Sequence, residues 1–162
     1  DYCAGGGGKA LALAGLGAEV VAHDIEPRRM ADLPGRAQRA GVQIDRVLPG
    51  SLQSPVEADL IFADAPCSGS GAWRRSPQGK WDLTPEKLDE LCAIQASILD
   101  EIAGLAGEGT QIAYATCSLI EAENGGQIGS FLTRHPDWRL ARGRRFTPLD
   151  GGDGFYVALL TR

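Results

Sequence analysis

Three residues of this sequence combine side-chain type and spacing in a way that chemistry uses: Asp64, Cys67 and Cys117. Asp64 and Cys67 lie in Asp64-Ala-Pro-Cys67-Ser-Gly-Ser-Gly71, and Cys117 lies in Tyr114-Ala-Thr-Cys117-Ser118. Pro66 keeps the residue before it extended, and the glycines let the chain fold tightly around the preceding groups. A carboxylate and a thiol three residues apart are thereby presented on a stiff loop. A thiol acts as a nucleophile through its thiolate, which a positive or hydrogen-bonding surround favours. Arg74, Arg75 and Lys80, further along the same stretch, are candidates for that surround. Singly, each residue has a plainer reading, since Asp is common in turns and a lone Cys is usually a small buried hydrophobe. Cys3 and Cys92 are expected to be of that plain kind. Two thiols beside a carboxylate and a glycine loop are not.

The glycine loop is Gly5-Gly6-Gly7-Gly8-Lys9-Ala10. A phosphate-binding P-loop would need a Ser or Thr hydroxyl after the Lys and a Gly where Cys3 stands, so that reading fails. A nucleoside-binding loop is a better match, with Gly5 and Gly7 in place, Ala10 at the last position and Asp24 one strand later. Glycines there let the backbone approach a ligand, and the second-strand carboxylate accepts from ribose hydroxyls. The same spacing also admits a nicotinamide-dependent dehydrogenase, but no Tyr-x-x-x-Lys or paired His accompanies it.

The elements that must position these groups alternate between strand and helix. Residues 1–4 read as the end of a strand, 9–16 as a short helix, and 19–24 as a buried strand ending in Asp24. Pro27 opens a helix over 28–40 that Gly41 stops, and 42–48 is a weaker strand. Residues 59–64 form the clearest strand, followed by a long loop over 65–83, a length that usually signals function. Thr84 caps a helix with Pro85 at its first position and an end near Leu105. Strand 110–116, a glycine-weakened helix over 121–134 and a closing strand over 155–160 complete the chain. The pattern predicts a single α/β domain with a mostly parallel sheet. Right-handed crossovers then place Cys3, Asp24, Asp64 and Cys117 along one sheet edge, where such folds bind ligands.

Composition bounds the function classes. At 162 residues, 43% hydrophobic and 23% charged, the chain has material for one packed core. No apolar run approaches the roughly 18 residues that a membrane span needs. No C-x-x-C pair or His pair suggests a metal, and scattered cysteines suit a reducing cytoplasm. A net charge of −5 argues against gripping nucleic acid through the overall field. Local cations remain, at Arg74, Arg75 and Lys80 beside Trp73 and Trp81, and in a run of Arg134, His135, Arg139, Arg142, Arg144 and Arg145.

Read together, DYCAGGGGKA at 1–10, AHDIEPRR at 22–29, DLIFADAPCSGSG at 59–71, YATCSLIEAEN at 114–124 and GGDGFYVALLTR at 151–162 resemble one known family. It is the Sun (Fmu, RsmB-type) family of ribosomal-RNA cytosine-5 methyltransferases, and the likeness to its catalytic domain runs nearly end to end. The resemblance implies a Rossmann-like methyltransferase fold with an antiparallel C-terminal strand, S-adenosylmethionine as cofactor, and RNA, in the first place ribosomal RNA, as partner. It implies Cys117 as the thiol that adds to carbon 6 of cytosine, Asp64 as hydrogen-bonding the ring at nitrogen 3, and Cys67 as resolving the covalent adduct. Cys3, Ala4, Gly5, Gly6, Gly7, Lys9, Asp24, Arg29 and Asp64 are implied to hold the cofactor, and Arg74, Arg75 and Lys80 to contact RNA. A monomer in the cytoplasm is the corresponding expectation. The chain also reads as a fragment, with an N-terminal RNA-binding region and the opening of the first strand preceding residue 1. Two departures stand out: the family's usual Ala-Pro-Gly-Gly-Lys-Thr loop is replaced here, and Val47-Leu48-Pro49-Gly50 lacks the usual third-strand Asp. They keep open a second expectation, a non-catalytic RNA-binding or assembly module that retains the fold.

Overall fold

The computed structural model describes residues 1–162. Its helices are α1 (Gly8–Gly15), α2 (Leu33–Ala40), α3 (Gln78–Asp82), α4 (Pro85–Leu105) and α5 (Gly125–Arg134). Its strands are β1 (Val21–His23), β2 (Asp45–Val47), β3 (Leu60–Asp64), β4 (Gln111–Thr116), β5 (Arg139–Phe146) and β6 (Phe155–Thr161). β1 pairs in parallel with β2, and the other four lie in the order β3-β4-β6-β5. β3 and β4 are parallel, whereas β6 runs antiparallel to both β4 and β5. The mostly parallel α/β arrangement with an antiparallel last strand is the one expected.

Residues 1–4 join the two sheets. The Tyr2 amide donates to the Phe62 carbonyl (2.7 Å), the Ala4 amide to His23 (2.9 Å), and the His23 amide to Asp1 (2.8 Å). The chain leaves this central position directly into the glycine loop. The main core lies between the larger sheet and α4 and α5, where Leu99, Ile102, Ile128 and Phe131 meet Ile112, Tyr114, Ala158 and Leu160. A smaller cluster of Ala4, Ala22, Met30 and Leu33 seats the loop against α2. α4 begins as expected: Thr84 is extended, its hydroxyl accepts the Lys87 amide at 3.3 Å, and Pro85 opens the helix.

Several boundaries differ from the sequence expectation for physical reasons. The helix expected over 28–40 is a 3-10 turn (Pro27–Met30) followed by α2, because Pro34 has no amide to continue the ladder and can only stand in a first turn. The weak strand over 42–48 contracts to Asp45–Val47. The long loop carries a 3-10 turn at Ser70–Ala72 and the short α3. The most consequential difference is β5, which the sequence reading treats only as part of a basic run. Arg139–Arg145 are all exposed, so an edge strand with no buried face leaves no alternation to detect.

Two glycines bring the reactive loops together. The Gly71 amide donates to the Cys117 carbonyl and the Gly154 amide to the Gly71 carbonyl, both at 2.9 Å. A Cβ at Gly71 would overlap the Gly154 backbone, so only glycine lets these loops touch. Gly71→Ala is expected to lower stability by about 1–3 kcal/mol in denaturant unfolding, the usual cost of forcing extra volume into a packed site.

Candidate active site

The strand ends converge on a single cavity of about 690 Å³. Cys3, Ala4, Gly5, Gly6, Gly8 and Lys9 line one wall, Asp24, Ile25 and Arg29 a second, and Asp64 to Cys67 with Cys117 a third. Each arrives there because its strand ends there: β1 hands on to Asp24, β3 ends at Asp64 and β4 at Thr116. Ile94, Ser97, Ile98 and Glu101 of α4 close the remaining side.

Asp24 is 1% exposed, and both of its carboxylate oxygens have partners. One carboxylate oxygen accepts the Gly5 amide at 2.9 Å and faces the Arg29 guanidinium at 3.5 Å, while the other accepts the Glu26 amide at 3.0 Å. The carboxylate thus fixes the glycine loop and still borders the cavity. Gly8 contributes differently, since a Cβ there would meet nothing within 4 Å. Gly7, expected among the cofactor contacts, is not part of the lining. Its φ of +78° caps α1, and a Cβ there would overlap the Leu33 side chain, so its role is turn geometry and packing. No carboxylate follows β2 into the cavity either, since residues 45–50 are absent from its lining.

The two thiols expected at the centre are in contact, Cys67 Sγ lying 3.3 Å from Cys117 Sγ. Their environments push them apart. The hydrogen bond from Cys67 stabilises a thiolate on Cys117 and brings its pKa down to about 7, against burial and the nearby Asp64 charge, with Lys9 assisting. The same hydrogen bond, followed by burial, pushes Cys67 up. Of the pair, Cys117 is the one shifted toward the thiolate and Cys67 the one shifted toward the thiol. Cys3, also in the cavity, is pushed up to about 12 by burial and the Asp24 and Asp64 charges, which suits a packing role. Lys9 forms an ion pair with Asp64 and stands over the Phe155 ring at 5.6 Å. A falling proton occupancy sets the sign of the pH effect: alkylation of Cys117 by iodoacetamide is expected to accelerate as pH rises through about 7. Cys3 should react only well above that, and peptide mapping of the modified protein separates the two.

One group at this site is absent from the sequence expectation. Glu123 is fully buried in the 3-10 turn Glu121–Glu123, directly behind the cysteine loops. Beside it Asn124 accepts from the Thr116 hydroxyl at 2.6 Å and donates to the Ser118 carbonyl at 2.9 Å. Gln95 of α4 donates to the Pro66 carbonyl at 2.9 Å. The signal that could have exposed this layer is the serine that immediately follows both Cys67 and Cys117.

The cations expected to contact RNA stand outside the cavity. Arg75 pairs with Asp153 at 2.6 Å and Arg74 approaches the same carboxylate at 3.6 Å. Lys80 lies 5.6 Å over the exposed Trp81 ring. The longer basic run is divided: Arg134 and His135 share Asp100, Arg145 pairs with Glu121, and Arg144 stacks on Phe146. No helix is long and apolar enough to cross a membrane, and no group of three His, Cys, Asp or Glu is placed to hold a metal ion.

Comparison with known proteins places this geometry. The family model described as 16S rRNA methyltransferase RsmB/F matches residues 1–161. Ribosomal RNA small subunit methyltransferase B of Thermus thermophilus is 37% identical over 175 residues, covering 100% of this chain and 44% of that protein. Its namesake in Erwinia tasmaniensis is 37% identical over 177 residues, covering 100% and 41%. The chain therefore spans less than half the length of these curated relatives. NSun6 from Pyrococcus horikoshii, solved with SFG, has the same fold, with a TM-score of 0.84 at 24% identity over 99% of this chain and 46% of that one. The match over residues 1–161 and the full-length coverage by relatives agree: this chain belongs to the RsmB/F family of 16S rRNA methyltransferases.

Proposed function

We propose that this domain methylates carbon 5 of cytosine in RNA, ribosomal RNA being the substrate class, with S-adenosylmethionine as methyl donor. The observation that carries this reading is the pair of thiols in contact at the floor of the glycine-loop cavity. The cavity suits the cofactor by its donor set. The buried carboxylate of Asp24 follows β1, glycines leave backbone accessible, and the lining is about half apolar, as an adenosyl group with a ribose requires. When bound, S-adenosylmethionine supplies an electrophilic methyl on its sulfonium. Asp24 would hold the ribose hydroxyls, with Cys3 to Lys9 against the methionine part.

Carbon 5 of cytosine is a poor nucleophile until the ring is activated. The Cys117 thiolate adds to carbon 6, forming the S–C6 bond and moving an electron pair onto the ring, so that carbon 5 becomes enamine-like. Negative charge arriving toward nitrogen 3 is met by a proton from the Lys9–Asp64 pair: the Lys9 ammonium passes it through the Asp64 carboxyl to nitrogen 3, and it returns to the pair when the S–C6 bond breaks. After carbon 5 is methylated, its proton must leave as the S–C6 bond breaks and the thiolate is restored. Cys67 stands 3.3 Å from the sulfur that holds the base. Once Cys117 is a thioether its negative charge is gone, and with it the main cause that keeps Cys67 protonated, so Cys67 gives its proton to solvent and, as a thiolate, accepts the carbon-5 proton. Reaching the pocket requires the base to leave its stack at a cost of a few kcal/mol, which contacts around the cavity must offset.

Release of tritium from RNA carrying cytosine tritiated at carbon 5 tests this reading. We expect one tritium released per methyl incorporated, and no release without S-adenosylmethionine. Calorimetry separates the alternative of a non-catalytic module, which would show no cofactor binding. In the enzyme, Asp24→Ala should weaken cofactor binding by about tenfold to a hundredfold, the worth of hydrogen bonds to a charged group.

A further inference from the structure

The buried carboxylate of Glu123 accepts four hydrogen bonds and faces no cation. One oxygen takes the Ser68 amide at 2.7 Å and Gln95 Nε2 at 3.0 Å; the other takes the Ser68 and Ser118 hydroxyls, both at 2.5 Å. A buried carboxylate without a cation is costly unless its lone pairs are filled, and here they are filled. What fills them is informative, because Ser68 follows Cys67 and Ser118 follows Cys117. A single side chain thus grips the neighbours of both thiols, which belong to loops 50 residues apart.

The Ser68 and Ser118 hydroxyls also approach each other at 3.3 Å, and further ties at this place act on backbone. The Gly71 amide bonds the Cys117 carbonyl, Asn124 bonds the Ser118 carbonyl, and the Tyr114 hydroxyl donates to the Glu123 carbonyl at 2.8 Å. These hold the loops near one another, but the shortest link between the two post-cysteine residues runs through Glu123, which takes both hydroxyls at 2.5 Å against the 3.3 Å between them. The serine hydroxyls extend the grip. Ser118 Oγ accepts the Ile120 amide at 3.0 Å and approaches Ser70 Oγ at 2.9 Å, and Ser70 Oγ accepts the Leu119 amide at 2.8 Å. Charge-assisted hydrogen bonds of this kind are short and directional, so they define loop position more tightly than packing alone.

We propose that Glu123 is a positioning residue that sets the separation and alignment of the Cys67 and Cys117 sulfurs, holding them in the contact that the thiol-to-thiolate hydrogen bond needs. This inference rests on the reading of the two cysteines as the reacting groups, but its test does not require RNA methylation. If Glu123 relaxes its grip, Cys67 no longer donates in line to Cys117, and Cys117 returns toward ordinary thiol behaviour. The pH midpoint of Cys117 alkylation reports that alignment directly, and a purely structural role for Glu123 would not move it.

The experiment measures iodoacetamide alkylation of Cys117 against pH, by peptide mapping, in the intact protein and in Glu123→Ala and Glu123→Gln. Calorimetric affinity for S-adenosylmethionine is measured in parallel. Glu123→Ala is expected to move the midpoint up from about 7 by about one pH unit or more, toward an unperturbed thiol, while cofactor affinity stays within about twofold. Glu123→Gln should restore most of the shift, since its carbonyl can accept the Ser68 amide and its NH₂ can donate to hydroxyls that reverse their roles. An unchanged midpoint in a folded Glu123→Ala protein overturns the proposal. Should that variant fail to fold, Ser68→Ala and Ser118→Ala each remove one donor and leave the carboxylate, and each is expected to move the midpoint part of the way. No shift in either overturns the proposal equally. A wild-type protein that shows the shift pattern but releases no tritium from RNA would contradict the methyltransferase reading and leave the positioning role standing.

Discussion

Cys117→Ala is expected to reduce methyl transfer to cytosine-containing RNA by about three orders of magnitude or more, equivalent to about 4 kcal/mol of lost transition-state stabilisation. The reason is that no other group in the cavity can replace a thiolate at the β4 end. Cys3 is held in its thiol form by burial and by two nearby carboxylates, and Cys67, though freed of the Cys117 charge, stands on the loop after β3 and not at the β4 end. The alanine should leave cofactor binding intact, because the Asp24 wall of the cavity does not depend on Cys117. Cys67→Ala should behave differently. It removes the main stabiliser of the Cys117 thiolate, so alkylation of Cys117 shifts to higher pH, yet the nucleophile remains and adds to the base. With the proton acceptor missing, adduct forms and accumulates while turnover falls. An adduct that survives Cys117→Ala and disappears in Cys67→Ala would reverse the two roles.

Asp64→Asn separates the activation of the base from the activation of the nucleophile. The Asp64 charge opposes the Cys117 thiolate, whereas Lys9 favours it. Replacing the carboxylate by an amide removes the opposing charge and frees the ammonium of its partner. The midpoint for Cys117 alkylation is therefore expected to fall below about 7, and labelling at neutral pH to become faster. Methyl transfer should nevertheless drop by about 10²–10⁴-fold, the usual effect of losing a positioned acid–base group. The two readouts move in opposite directions only if Asp64 works on the substrate. If alkylation and methyl transfer both slowed, Asp64 would be acting on Cys117 instead, and its place in the mechanism would be wrong. Rates of each are obtained on the same preparation, alkylation by peptide mapping and transfer by tritium release.

Much of the fold is legible in the chain because its informative segments are locally unambiguous. The apolar run ending at Asp64 becomes β3, Thr84-Pro85 becomes the start of α4, and the carboxylate after His23 ends β1. Strand ends carrying reactive groups meet at one edge because parallel strands with right-handed crossovers leave them no other place. Less legible is whatever depends on partners distant in sequence. β5 has no buried face, so its residues show charge without periodicity. The basic run that looked like one patch is divided by Asp100 from α4 and Glu121 from the turn before α5. Arg74 and Arg75 likewise find Asp153, 78 residues beyond Arg75, in the turn before β6. Glu123 is the clearest case: nothing in Glu121-Ala-Glu123-Asn124 announces a buried carboxylate, because its donors sit 55, 28 and 5 residues away. The departures in the glycine loop and after β2 are visible from sequence, but only the fold shows that Asp24 still holds Gly5 and borders the cavity without them.

The central claim is that Cys117 is the atom that bonds cytosine. RNA containing 5-fluorocytosine tests it most directly, because fluorine at carbon 5 cannot leave as a proton does, and the covalent adduct persists. The intact protein is incubated with that RNA and S-adenosylmethionine, digested, and the cross-linked peptide identified by mass spectrometry. Nucleotide mass is expected on the peptide bearing Cys117, with Cys67 unmodified. Nucleotide mass on Cys67, with Cys117 free, would contradict it.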